Sequence, residues 1–251
     1  MSELNLPTEE VSLPSKGLLY PKESPLSSGK IMMKYMTARE EDILTNANFI
    51  QNGTVIDKLL QSLIVTPINY DELLIGDKNA VLIAARILGY GKDYTFKYLT
   101  KNRVEAEATI DLSTLKEKEV DPNLYKNGNE FSFDLPKSPN KVTFKLLNHG
   151  DEKKIEAEIK GLRKVNPNGS YDVTTRLKYM ITSVNGEREI KKIREFVDTY
   201  LLAPDARALR EYYAQIQPDI ELKYYPEDDN YVGEGIDVPI SLNFFWPDFG
   251  Q

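Results

Sequence analysis

The residues of this chain that could carry out phosphate chemistry lie in the segment GYGKDY, residues 89–94. A phosphate-binding loop needs another glycine five residues before Gly91 and a serine or threonine after Lys92. Those two positions hold Arg86 and Asp93. The segment also follows a predicted helix, whereas a phosphate loop follows a strand. We therefore do not expect nucleotide binding here.

Paired carboxylates are the next candidates for chemistry, and they occur at Glu40-Glu41, Asp151-Glu152 and Asp228-Asp229. Acid–base pairs of the glycosidase kind face each other across a cleft, whereas adjacent carboxylates on charged segments are typical of a solvated surface. The acidic stretch at 226–230 has oxygen ligands that suit calcium, but it lacks the spaced ligand series of a calcium-binding loop. We predict no catalytic residue, no metal and no cofactor.

Histidine and cysteine restrict the possible chemistry further. His149 is the only histidine, and there is no cysteine. The absence of cysteine excludes disulfides, thiolate metal sites and thiol nucleophiles together. Since His149 precedes a predicted helix and lies beside Gly150, we interpret it as a capping or surface residue.

Composition limits the classes of partner. The 251 residues carry a formal net charge of −7, with a sequence pI near 5.0. Nucleic-acid binding draws on lysine and arginine to neutralise phosphates, so this charge argues against it. No apolar run approaches the roughly 18 residues that span a bilayer, and the start of the chain does not resemble a signal peptide. We expect neither a nucleic-acid nor a membrane partner.

The first third of the chain predicts an irregular arm followed by helices. Prolines 7, 14, 21 and 25 exclude a sustained helix from the arm. After a short strand at 30–36, the pattern Thr37–Glu40 is a capping box and predicts a helix to about Phe49. Residues 54–64 show the strongest amphipathic pattern. Asp77 is expected to cap a nearly all-apolar helix over 78–91.

From residue 93 the hydrophobic period changes to that of strands. We expect hairpins from four strands, at 93–99 with 105–112 and at 130–136 with 141–147. Helix patterns then return. The predicted helices cover 149–164, 172–186, 188–202 and 205–216, the middle two as a helical hairpin that Asn185-Gly186 closes.

The predicted fold class is α+β, with a helical N-terminal bundle, a β-hairpin module, a helical C-terminal region and a terminal β-hairpin that packs beside the first. The corresponding segments are an extended arm at 1–28, a helical region at 29–92, the hairpin module at 93–147, a second helical region at 148–217 and the terminal hairpin with its aromatic tail at 218–251.

Both ends of the sequence display large apolar side chains where polar residues are usual. The arm carries Leu18, Leu19 and Tyr20 between prolines, and the tail carries Phe244, Phe245, Trp246 and Phe249. Aromatic side chains provide much of the binding energy of protein interfaces. Each group either packs onto its own domain or binds a partner. We take these seven residues as candidate partner-binding residues.

Several stretches resemble the bacteriophage T4-type baseplate protein family, whose members are baseplate hub subunits of contractile-tailed phages. They are LPSKGLLYP (13–21), MKYMTAREEDIL (33–44), GTVIDKLLQSLI (53–64), DELLIGDKNAVLIAARILGYGKDY (71–94), ITSVNG (181–186), APDARALREYY (203–213) and PISLNFFWPDF (239–249). The opening, the MTAREE step and the FFWP ending are fairly specific in combination. Relatives carry a cysteine pair in the hairpin where this chain has residues 98–102, so the resemblance implies a ribbon-like hairpin without metal.

The resemblance implies a structural, non-enzymatic subunit of a tail baseplate hub, made in the bacterial cytoplasm and retained in the virion tail. Its expected partners are other hub and tail proteins, including the tape measure or central hub, with multiple copies in a symmetric assembly. An assembly factor absent from the virion is the main alternative. A hub-associated cell-wall hydrolase is a third, and it would require facing carboxylates or a metal site.

Overall fold

A computed structural model of the chain describes residues 6–100, 103–226, 235–240 and 242–245. The arm opens with strand β1 (Thr8–Ser12), which pairs antiparallel with β2 (Lys30–Lys34) so that Ser12 faces Lys30. Residues 13–20, which we call the anchored turn, are a series of tight turns. The expectation of an extended arm is therefore wrong for these residues. The prolines exclude a helix, but they permit a strand and turns.

Four helices follow, α1 (Ala38–Leu44), α2 (Ala47–Gln51), α3 (Val55–Leu63) and α4 (Ile75–Tyr90). The first two replace the single helix predicted to Phe49. The chain breaks at Asn46, whose side chain accepts hydrogen bonds from the backbone of Asn48 and Phe49 and so caps α2.

The capping box at the start of α1 is confirmed, since Glu40 accepts from both the backbone and the hydroxyl of Thr37. Burial by itself would raise the pKa of the Glu40 carboxyl. Hydrogen bonds from Lys34, Thr37 and Ser62 outweigh that effect and lower the pKa to about 2. The capping residue therefore also ties α1 to β2 and α3.

The amphipathic stripe predicted on α3 faces the N-terminal core as expected. This core also receives side chains from the arm, α4, the next hairpin and the far end of the chain. Its buried members include Leu13, Leu26, Ile31, Met33, Leu44, Leu59, Leu60, Leu63, Val81, Tyr94, Phe96, Leu112, Phe244 and Phe245.

The hairpin β3 (Asp93–Leu99) and β4 (Glu105–Asp111) follows α4 and confirms the predicted change of period. Tyr94 and Phe96 alternate toward the core while Thr95 and Lys97 face outward. Residues 101–102 at the tip, part of the proposed metal-free ribbon, lie outside the described residues.

A three-stranded sheet joins β5 (Phe131–Asp134), β6 (Lys141–Phe144) and β7 (Ile181–Val184) in antiparallel order. The helix predicted over 172–186 is wrong in its second half, because α6 (Asp172–Met180) ends where β7 begins. Residues 181–184 pair with β6 and bury alternate side chains. Asn185 and Gly186, with φ of 50° and 84°, turn the chain after this strand.

The C-terminal core lies between this sheet and four helical segments: α5 (His149–Val165), α6, α7 (Ile190–Glu195), which continues into a wider π-helical turn (Phe196–Tyr200), and α8 (Ala203–Ile216). The predicted acidic first turn and basic last turn of α5 are confirmed. Leu19 from the arm also belongs to this core.

The last described segments return to the N-terminal core. Strands β8 (Lys223–Tyr224) and β9 (Ile236–Asp237) pair, and α9 (Leu242–Phe245) follows. The Tyr224 ring lies 5.7 Å from that of Phe96, so the terminal hairpin packs beside the first one. The α+β fold class is thus confirmed. Within the part of the chain that the structure describes, no helix is long and apolar enough to span a bilayer.

Candidate functional site at the anchored turn

The anchored turn is fixed to α4 by a buried carboxylate. Asp77 Oδ1 accepts from the Ser15 backbone N–H at 2.9 Å, while Oδ2 accepts from the Ser15 hydroxyl at 2.7 Å and the Tyr20 hydroxyl at 2.6 Å. Tyr20 in turn accepts from the Leu74 N–H at 2.9 Å. Asp77 lies in the first turn of a helix that begins at Ile75, so its predicted role as the helix cap is wrong.

The same contacts explain why the pKa values of Asp77 and Tyr20 are shifted. Burial raises the pKa of the Asp77 carboxyl, and Asp219 adds to that effect, while the hydrogen bonds from Tyr20 and Ser15 oppose it. Burial, followed by the proximity of Asp77, raises the pKa of the Tyr20 phenol and keeps it a hydrogen-bond donor. Because three donors from the turn occupy both oxygens of the Asp77 carboxylate, this group holds the turn against α4.

The backbone of the turn requires a glycine. Lys16 and Gly17 both adopt positive φ, 52° and 76°. A Cβ atom built on Gly17 would lie 2.3 Å from the carbonyl oxygen of Ser27, a backbone atom that cannot move aside easily. The turn therefore packs directly against the 3-10 turn at Pro25–Ser28, and only glycine allows that approach.

The three candidate residues of the arm have different surroundings. Leu18 is 46% exposed at the crest of the turn. Leu19 is only 4% exposed and packs in the C-terminal core. Tyr20 is half-buried and packs against both cores. The expectation that all three side chains are presented together is corrected, because the arm uses Leu19 and Tyr20 to attach to its own protein.

The candidate residues of the tail divide in the same way. Phe244 and Phe245 are completely buried in the N-terminal core, with their rings 5.4 Å apart in an edge-to-face arrangement. They follow the alternative in which the tail packs onto its own domain. Trp246 and Phe249 lie outside the described residues.

Sequence reasoning missed the residue that receives this tail. Arg86 is 1% exposed, and it donates to the carbonyls of Gly91 (2.7 Å) and Asp93 (3.0 Å). Its guanidinium also lies within about 6 Å of the Phe244 and Tyr94 rings, at cation–π distance. Burial lowers the pKa of this guanidinium. The sequence did contain a signal for this role, because Arg86 is the single arginine of a nearly all-apolar helix and must therefore have a partner.

A second polar cluster lies where α5 meets the N-terminal helices. Lys78 Nζ donates to Asp57 Oδ1 at 2.6 Å and lies 3.2 Å from His149 Nδ1. The Tyr70 hydroxyl donates to the same Asp57 oxygen at 3.0 Å, and its ring packs edge-on to the imidazole. His149 is buried and is the first residue of α5, which Asn148 caps, so its interpretation as a capping or surface residue is wrong. These groups bind one another and join the two cores.

The polar clusters around Asp77, Arg86 and His149 thus bind other groups of the same chain. No group of three or more His, Asp or Glu side chains among them is arranged to bind a metal ion. No protein-family model, no curated protein sequence and no solved structure matches this chain.

Proposed function

We propose that this chain is a structural subunit of a contractile phage-tail baseplate hub and that it binds a neighbouring protein through Leu18 of the anchored turn. The resemblance of seven stretches to phage hub subunits supports the choice of assembly. The proposed contact rests on one observation: Leu18 is exposed, whereas Ser15 and Leu19 in the same turn are buried.

A rigid turn favours binding for an energetic reason. Ordering a flexible loop at an interface costs conformational entropy, and a loop that is already fixed avoids most of that cost. The hydrogen bonds to Asp77 and the burial of Leu19 fix this turn before any partner arrives. Burying the 46% of Leu18 that is still exposed then contributes about half of the roughly 1.5–3 kcal/mol of a whole leucine side chain.

The test is Leu18→Asp in the full chain, followed by counting complete tails. We expect the variant protein to keep its unfolding temperature, because residue 18 is exposed, and the yield of complete tails to fall at least tenfold. The matched control is Leu99→Asp, since Leu99 is 68% exposed on β3. It should assemble normally. Normal tail yield from Leu18→Asp would overturn the contact.

A mass-spectrometric inventory of purified tails distinguishes the two hub roles. Detection of the chain in mature tails, at a stoichiometry that fits several copies in a symmetric hub, supports a structural subunit beside the central hub or tape measure. Detection only in assembly intermediates from the host cytoplasm would overturn that role in favour of the assembly factor.

A further inference from the structure

A cavity of about 290 Å³ opens on the C-terminal half of the molecule, between one face of α6 and one face of α8. Its largely apolar wall is formed by Ile75, Leu147, Val173, Met180 and Tyr213. Leu147 and Met180 are buried at its floor, while Val173 is partly exposed at its mouth. The cavity has the size and the lining of a site for one large apolar side chain.

Two carboxylates and two guanidinium groups line the cavity, but they are not all paired with one another. Glu152 is paired with Arg176 through both of its oxygens. Asp172 is paired with Arg163, with Arg163 Nη2 2.9 Å from Asp172 Oδ2. Arg210 donates only to the backbone carbonyl of Ala206, at 3.3 Å, and has no carboxylate partner within the described ranges. One guanidinium without a carboxylate partner therefore lies beside an apolar cavity, on a protein whose net charge is −7.

We infer that this cavity binds a partner polypeptide in which a large apolar side chain, such as phenylalanine, lies next to an aspartate or glutamate. The partner's ring enters between Val173 and Tyr213, and its neighbouring carboxylate pairs with the Arg210 guanidinium. The guanidinium can donate two parallel hydrogen bonds to a carboxylate. The inference deepens the proposed function, because it assigns a chemistry to one of the hub partners.

The pocket is built from regular elements, which explains how it keeps its shape. Val173, Arg176 and Met180 are spaced by three and four residues on α6, and Arg210, Tyr213 and Gln217 repeat that spacing along α8 and the residue after it. Side chains at these spacings share one helix face. The Tyr213 hydroxyl also accepts from the Leu147 N–H at 3.0 Å, which ties the two walls together.

The probe is the dipeptide acetyl-Asp-Phe-amide, compared with acetyl-Lys-Phe-amide, which has the same ring and the opposite charge. Binding is followed by NMR on protein labelled with ¹³C in the methionine methyl groups. The chain has five methionines, of which Met180 lines the cavity. Met33, in the other core, is the internal reference. We expect a saturable shift of the Met180 signal with the Asp peptide, and binding about tenfold weaker with the Lys peptide.

Two variants test the charge of Arg210 and the access to the cavity separately. Arg210→Glu should reverse the preference between the peptides, while the control Lys191→Glu, the same change of charge at an exposed site on α7 outside the cavity, should leave it unchanged. Val173→Trp should fill the mouth and abolish the Met180 shift without disturbing the core. Equal binding of both peptides, or no shift of Met180 with the Asp peptide at millimolar concentration, would overturn the inference. Neither result would alter the tail-yield test of Leu18.

Discussion

At the scale of single residues, most of the buried polar side chains described bind other groups of the same chain. Asp77 joins the arm to α4, Arg86 joins α4 to the carbonyls that follow it, and His149 contacts a lysine beside Asp57. None of these pairings was predictable from sequence spacing, because most of the partners lie far apart; Ser15 and Asp77, for example, are separated by 62 residues. The residue types indicate that a buried partner must exist, but the fold decides which one.

His149 gives the molecule a defined response to pH. Burial, followed by the neighbouring Lys78, lowers the pKa of its imidazole below the usual 6.5; Asp57 and Asp71 oppose this, and Lys153 adds a smaller lowering effect. Between the folded and unfolded pKa values, only the unfolded chain binds the proton. The stability contribution is therefore complete above about pH 6.5 and falls as the pH drops through that value, by about 1.4 kcal/mol for each unit of depression.

The measurement is urea unfolding of the wild type and of His149→Gln between about pH 8 and about pH 5.5. Carboxylates titrate in both proteins, so the difference between the two curves isolates the histidine. We expect the wild type to lose more stability on acidification than the variant. Parallel curves would show that His149 titrates normally in the folded protein.

At the scale of elements, the sequence predicted correctly those features that depend on interactions between residues close together in the chain. The capping box of Thr37 and Glu40, the stripe of α3 and the dipole-matched ends of α5 all depend on residues within a few positions of each other. Strand β7 was mistaken for helix because its state depends on pairing with β6, some forty residues earlier. The β-branched residues at 181–184 were compatible with that outcome, but only the partner strand selects it.

The anchored turn allows a clean test of backbone conformation against packing. Gly17 and Gly53 both have positive φ, 76° and 69°, but a Cβ on Gly17 would collide with the Ser27 carbonyl, whereas one on Gly53 meets nothing within 4 Å. Gly53→Ala should cost about 1–2 kcal/mol of unfolding free energy, the cost of left-handed backbone for a residue with a Cβ. Gly17→Ala should cost distinctly more, since it adds the steric clash.

Chemical denaturation of the two variants beside the wild type measures this difference. Limited proteolysis provides a second readout, because loosening of the turn should expose the arm in Gly17→Ala alone. Equal losses of stability in the two variants would show that the turn can shift away from Ser27 at little cost.

At the scale of the whole molecule, the two cores are joined by segments that cross between them. The arm places Leu13 in the N-terminal core and Leu19 in the C-terminal one. Leu19→Asp would therefore place a charge in a core and unfold the protein, so it cannot serve as an interface mutation. Leu18 is the residue of that segment at which assembly and folding can be separated.

The tail residues give the corresponding test for the N-terminal core. Phe245→Ala should lower the unfolding free energy by about 3–5 kcal/mol, the usual cost of removing a fully buried aromatic ring. Leu99→Ala, at an exposed site, should change it by no more than about 0.5 kcal/mol. Thermal and urea unfolding of the isolated proteins measure both. A stable Phe245→Ala monomer that fails in tail assembly would instead make this residue an interface anchor.

The burial of Phe244 and Phe245 beside Tyr94 has a consequence for synthesis on the ribosome. Domains generally fold as units, those nearer the N-terminus first, as the chain emerges. Here the first core needs side chains that are translated about 150 residues after its own hairpin, so a nascent chain of 230 residues still exposes the apolar surface around Arg86. We expect ribosome-stalled chains of that length to bind chaperones at this surface, and the full-length chain, which contains residues 238–245, to bind them far less.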